Sequence, residues 1–242
     1  MKIEYSIFTD KGSRPINEDF AGYIKKDGAY CFVLCDGLGG HGMGDRASQL
    51  AVKAIKEYFM SCSGTAEFVS GVIDHTQSVI RSEQAKNGSS DKMKTTAVIL
   101  VIDGNRGEAV HVGDSRAYHF RDGRVLMHTR DHSIPQMLVL MGEIDESMIR
   151  SHPDRNMLLR ALGDDREQVK YDVSGFDISE GDYFLLCSDG FWEPVTEDEM
   201  LLTDEDGESA EKWIKRLSGL AYENSSGKKM DNYTAVGVIV KG

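Results

Sequence analysis

Basic residues are in short supply: 28 lysines and arginines stand against 40 aspartates and glutamates, a formal net charge of −12 over 242 residues. Nucleic acids and anionic membranes both recruit basic surfaces, so neither is expected as a main partner. Proline is scarce as well. Its four copies are scattered singly, and no Pro/Ser linker, repeat or low-complexity tract divides the chain. The simplest expectation is a single domain over residues 1–242. No apolar run approaches the roughly 18 residues of a membrane span. The opening MKIEYSIFTDKG lacks the basic-then-apolar order of a secretory signal, so a cytoplasmic location is expected. The four cysteines (Cys31, Cys35, Cys62 and Cys187) have no CxxC spacing. They are read as reduced side chains packed as small hydrophobes, which excludes a zinc or disulfide framework.

What is present suits an ordinary globular core: 40% of residues are hydrophobic and 28% charged, enough to fold without disulfides or structural metal. Runs rich in β-branched and aromatic residues, mostly bounded by Gly, Asp or Asn, predict strands over 2–8, 30–35, 95–102, 107–113, 115–120, 169–176, 183–187 and 233–240. Helical spacing marks three apolar stripes. One runs from Ala47 to Phe59, a second from Phe68 to Ile80 and a third from Ala210 to Ala221. Short strands in succession, interrupted by helices, point to a layered α+β architecture, with two sheets face to face and helices outside as a fitting arrangement.

The informative residues are acids where apolar strands meet glycine turns. Asp36 follows CFVLC and precedes Gly37-Leu38-Gly39-Gly40, Asp189 follows YFLLCS, Asp114 follows AVHVG, and Asp231 precedes Asn232 and the run YTAVGVIV. One Asp beside Gly is ordinary turn chemistry. Four at the mouths of strands can converge, and converging carboxylates repel unless a cation neutralises them. No histidine or cysteine cluster accompanies them, and an all-oxygen set suits Mg²⁺ or Mn²⁺ over Zn²⁺. Paired ions about 3.5–4 Å apart can share a bridging water and hold an in-line displacement at phosphorus. In TDKGSRPINEDF (9–20), Arg14 can clamp phosphate oxygens, while Glu18 and Asp19 can complete a metal shell. Taken by itself, that segment also reads as a solvated polar loop.

An ordered set of motifs covers nearly the whole chain: TDKGSRPINEDF (9–20), VLCDGLGGHGMGDRAS (33–48), TTAVIL (95–100), HVGDSRAY (111–118), TRDHSIPQMLVLMGEI (129–144), SHPDRNMLLRALGD (151–164), LLCSDGFWE (185–193) and MDNYTAVGVIV (230–240). In this order they resemble the metal-dependent protein phosphatases of the protein phosphatase 2C type, in their bacterial form. The resemblance implies a four-layer α-β-β-α sandwich, two antiparallel sheets flanked by helix pairs. It implies hydrolysis of protein phosphoserine and phosphothreonine by a metal-bridged water at a binuclear Mn²⁺ or Mg²⁺ centre, with a weaker third ion. Asp36 would bridge the two ions, with the Gly37 carbonyl on one of them. Asp189 and Asp231 would hold the first ion, Glu18 the second with Asp19 helping through water, and Asp114 with Asp189 the third. Arg14 would bind the phosphate, making Asp36 and Arg14 the catalytic pair, and residues 131–163 would form a variable flap.

The expected partners are phosphorylated proteins and a cognate Ser/Thr kinase, with the chain a monomer. Leu38 stands where eukaryotic relatives carry a histidine proposed as general acid, while His41 and His132 are read as structural. Two other readings stay open on sequence: a pseudophosphatase binding module, and a metal-dependent phosphatase of a small phosphate ester.

Overall fold

The computed structural model describes residues 1–39, 42–89, 92–165, 168–202, 208–227 and 229–242. Among the described residues, ten strands form two antiparallel five-stranded sheets. The first has the order β1 (Lys2–Asp10), β10 (Tyr233–Lys241), β9 (Tyr183–Cys187), β6 (Arg116–Arg121), β7 (Arg124–His128). The second runs β2 (Asp19–Lys26), β3 (Ala29–Asp36), β4 (Ala97–Asp103), β5 (Arg106–Val112), β8 (Asp172–Asp177). Helices α1 (Gly44–Ser61) and α2 (Thr65–Asn87) cover the second sheet. The first is covered by α6 (Ala210–Asn224) together with the short α4 (Asp189–Trp192) and α5 (Glu197–Met200). Between β7 and β8 lie α3 (Ile134–Leu140) and a 3₁₀ turn at Glu146–Ser151.

This layering explains why the central strands read as unbroken apolar runs. In β3, Phe32 and Leu34 point between the sheets, while Cys31, Val33 and Cys35 point toward α1 and α2. In β9, Phe184 and Leu186 face the other sheet, whereas Tyr183, Leu185 and Cys187 face α6. A strand buried on both faces has no polar alternation to show. The three predicted stripes are the inner faces of α1, α2 and α6, with Ile55, Ile73 and Trp213 fully buried. All four cysteines are free and buried, and burial pushes their thiols up.

Two strands went unforeseen, β2 and β7, and both are sheet edges. The strand expected at 169–176 forms over Asp172–Asp177, also at an edge. Edge strands carry polar residues and glycine freely, which blurs their signal; β2 reads DFAGYIKK.

The antiparallel register fixes where the chemistry lies. Asp19 at the start of β2 sits opposite Asp36 at the end of β3. The end of β9 lies beside the starts of β10 and β6, since Cys187 pairs with both Ala235 and Arg116. Asp114 occupies the β5–β6 turn and Asp189 opens α4 straight after β9. The acids therefore gather at one end of the sandwich.

Candidate metal centre

A cavity of about 480 Å³ opens at that end, lined by Glu18, Asp36, Asp114, Asp189, Asp231 and Arg14 among others. Asp36 is fixed by its backbone: its N–H donates to Thr96 Oγ1 at 3.0 Å, and its carbonyl accepts from Thr96 N–H and Thr95 Oγ1, both at 2.8 Å. The turn after it is equally pinned, with Gly37 N–H donating to the Glu18 carbonyl and Leu38 N–H to that of Lys94. Gly39 lies against the tip of Glu18, and a Cβ there would stand 2.0 Å from Glu18 Oε2, so a larger residue would push that carboxylate out of its place.

Asn232 ties the remaining pieces together. Its Oδ1 accepts from Glu18 N–H at 2.8 Å, and its amide donates to the carbonyls of Lys11 and Ile16. Ser188 Oγ donates to Asp19 Oδ2 at 2.7 Å and accepts from Thr234 N–H. At Gly190 a Cβ would lie 2.2 Å from the Asn232 carbonyl, so glycine lets α4 approach the turn that carries Asp231. Asp114 is held from behind, where Trp192 Nε1–H donates to its carbonyl at 3.0 Å. The Trp192 ring in turn lies under the Arg116 guanidinium, 3.5 Å from its centroid, and Arg116 forms a buried two-pronged pair with Asp131.

Electrostatically the cluster is unfavourable by itself. Burial holds the Asp36 carboxyl well above the ordinary range, and the charges of Asp19, Asp189, Asp114 and Asp231 push it the same way. Burial, then Asp114, Glu193 and Asp231, do likewise to Asp189. Asp19 is pushed up to about 6 and Asp114 to about 7, both chiefly by burial, and Glu18 is raised by burial and then by Asp45. Asp19 Oδ1 is buried without a hydrogen-bond partner, an arrangement that costs about 1–3 kcal/mol for a polar atom. Crowded carboxylates with an orphaned buried oxygen are the donor set of a hard cation, so these residues fit Mg²⁺ or Mn²⁺.

Arg14, Glu18, Asp36, Gly37, Leu38, Asp114, Asp189 and Asp231 all border this cavity, while Asp19 reaches the site through Asp36 and Ser188 and His132 lies away from it. Arg14 pairs with Asp231 at 2.5 Å, so the two are engaged with each other. His41 lies outside the described residues. Sequence reading missed Asn232, Ser188, Thr96 and Glu193. Asn232 and Ser188 each adjoin a chosen aspartate, which is the only signal they carry.

A second group of donors, His111, His132 and Asp172, also brings three atoms within 4.8 Å. Hydrogen bonding argues against an ion there. His132 Nδ1 accepts from Gly113 N–H at 3.1 Å, so that nitrogen's lone pair is already engaged. Burial, then His111 and Arg160, bring His132 down to about 4, which keeps that ring neutral. Leu159 N–H donates to the His132 carbonyl at 2.7 Å, and Arg160 lies 3.1 Å from His132 Nε2 and 3.5 Å from Asp172. His132 is thus a latch for the segment around residue 160, in keeping with a structural role.

The family described as protein phosphatase 2C matches residues 12–232. A serine/threonine protein phosphatase PstP of Mycobacterium tuberculosis is 32% identical over 218 residues, covering 88% of this chain and 41% of the relative. The chain therefore spans about two fifths of that relative's length. A serine/threonine phosphatase stp of Listeria monocytogenes is 34% identical over 200 residues, 79% of each chain. Among solved structures, the catalytic domain of serine threonine protein phosphatase PstP in complex with two manganese ions superposes with a TM-score of 0.82 at 28% identity, covering 99% of both chains.

Proposed function

The chain belongs to the protein phosphatase 2C family, and from that premise we propose that it hydrolyses phosphoserine and phosphothreonine in proteins at a binuclear Mn²⁺ or Mg²⁺ centre. The observation that carries this reading is the convergence of Asp36, Asp114, Asp189, Asp231 and Glu18 on one cavity, with raised carboxyls and Arg14 at its rim. Asp36 would be shared by the two ions, Asp189 and Asp231 would hold the first, and Glu18 the second with Asp19 behind it. The Gly37 carbonyl would complete one of them, and Asp114 with Asp189 would hold a weaker third. Bound cations supply charge that lowers the pKa of water and neutralises phosphoryl oxygens.

The chain's own residues do the rest. Arg14 leaves Asp231 to clamp the phosphate, and its planar fork suits two phosphoryl oxygens. The Thr95–Thr96 bonds hold Asp36 in place, and Asn232 orders the loop that presents Arg14 and Glu18. Leu38 offers no proton, so catalysis rests on positioning and charge, which a loose phosphoryl-transfer transition state chiefly needs. In this reading residues 1–242 act as one catalytic domain with 131–163 as its flap. The chain works as a cytoplasmic monomer, opposed to a cognate Ser/Thr kinase.

The test is phosphate release from a phosphothreonine peptide with Mn²⁺ and with EDTA, beside Asp36→Asn. Release that requires metal and falls at least about 100-fold in the variant is expected, since even supporting groups around a metal are worth 10–100-fold. Absence of release under any metal would instead favour a binding module.

A further inference from the structure

A second cavity, of about 660 Å³, adjoins the first and shares Arg14, Asn156, Asp189 and Asp231 with it. Away from the acids its wall carries Arg150, Arg155 and Lys229. The two arginines are held in place. Arg155 Nε lies 2.9 Å from Glu193 Oε1. Arg150 pairs with Glu197 at 2.6 Å and lies over the Trp192 ring, 5.3 Å from its centroid. Lys229 is exposed and makes no ion pair among the described residues. If Asp189 and Asp231 serve cations and Arg14 the phosphate, this wall retains Arg150, Arg155 and Lys229 against Glu193, which lines it, and Glu197, which pairs with Arg150, leaving an excess of positive charge carried by Lys229. In a chain of net charge −12, that is a local reversal of sign beside the reaction centre.

We infer that this cavity is a subsite for the substrate polypeptide next to the phosphorylated residue, and that it takes an acidic side chain there. The inference rests on the phosphatase reading, since it needs the phosphate anchored at Arg14. Continuity of the two cavities supports it: a peptide whose phosphate reaches Arg14 has neighbouring residues within the second space. A carboxylate matches the wall's net charge, whereas a lysine placed there would meet the unpaired ammonium of Lys229. Fixed arginines also lose little freedom on meeting an anion, because Glu193, Glu197 and Trp192 have already restrained them. Each contact is solvent-accessible and screened, so the expected selectivity is modest, about three- to tenfold in kcat/KM.

The experiment uses three matched phosphothreonine peptides, with glutamates on the N-terminal side, glutamates on the C-terminal side, or glutamines on both. Each is assayed with Mn²⁺ at low and high salt, on the wild type, Lys229→Arg and Lys229→Glu. Expected is a preference for one glutamate peptide over the glutamine peptide, expressed in KM and reduced by salt. Lys229→Arg should retain it and Lys229→Glu abolish it. Equal kcat/KM for all three peptides on the wild type overturns the inference, as does a preference that survives Lys229→Glu unchanged. Turnover of the glutamine peptide upholds the catalytic reading whatever the flanks do. Loss of turnover on all three overturns both.

Discussion

Asp19 and Asp36 stand opposite each other across the β2–β3 pair, a placement that two like charges oppose directly. Burial first, and then Asp19 and three further aspartates, raise the Asp36 carboxyl, so ionising this residue in the cation-free protein is unfavourable. Replacing Asp36 by asparagine keeps the side chain's shape and removes one charge. The melting temperature of Asp36→Asn in EDTA should therefore exceed that of the wild type, by roughly 2–4 °C for each kcal/mol of repulsion relieved. The same substitution should shrink the stabilisation by Mn²⁺. A variant that melts below the wild type in EDTA would show that the cluster is not strained as argued. None of this pairing was open to sequence inspection. The motif TDKGSRPINEDF marks Glu18 and Asp19, but that Asp19 faces Asp36 follows only from the strand register.

At the scale of elements, the segment between β7 and β8 is tethered at identifiable points. Arg150 reaches Glu197, Arg155 reaches Glu193, and the His132 ring lies 3.1 Å from Arg160. The His132 latch has a definite pH signature. Its folded pKa of about 4 lies below the ordinary 6.5, so its contribution is complete above pH 6.5 and is lost as pH falls toward 4. The difference in melting temperature between wild type and His132→Gln should accordingly narrow over that window. An offset that stays constant from pH 7 to pH 4.5 would rule out the neutral-ring latch. The elements themselves were unequally legible. Helices α1, α2 and α6 announce themselves by periodic stripes, and β3, β4, β9 and β10 by apolar runs. Strands β2 and β7 escaped because an edge position demands little of its residues.

For the molecule as a whole, cation binding should act as a staple across both sheets, since the acids come from β2, β3, α4 and the turns before β6 and β10. A ligand that binds only the folded state stabilises by mass action, about 2.7 kcal/mol at a free concentration of 100 Kd. For a chain of this size that is roughly 5–11 °C. The increment should grow with pH. Asp19 and Asp114, at about 6 and about 7 against an ordinary 3.8, favour the folded state while protonated and cease to do so as pH rises through 6 to 7. Cations must displace those protons. The Mn²⁺-induced rise in melting temperature should thus be larger at pH 7.5 than at pH 5.5, by differential scanning calorimetry. Indifference to millimolar Mn²⁺ at pH 7.5 would count against an assembled site.

The sequence by itself determined the acids, their placement at the ends of apolar strands, and the hard-cation chemistry of an all-oxygen set. Residue type and local spacing carry that information. Only the tertiary structure decided which carboxylates face one another, that Arg14 meets Asp231 across 217 residues of chain, and that Ser188, Thr96 and Asn232 hold the acids in place. It alone set Arg150, Arg155 and Lys229 along one wall beside the centre. The physical reason is the same in each case: antiparallel register and helix docking join residues distant in the chain, and no local periodicity encodes such a meeting.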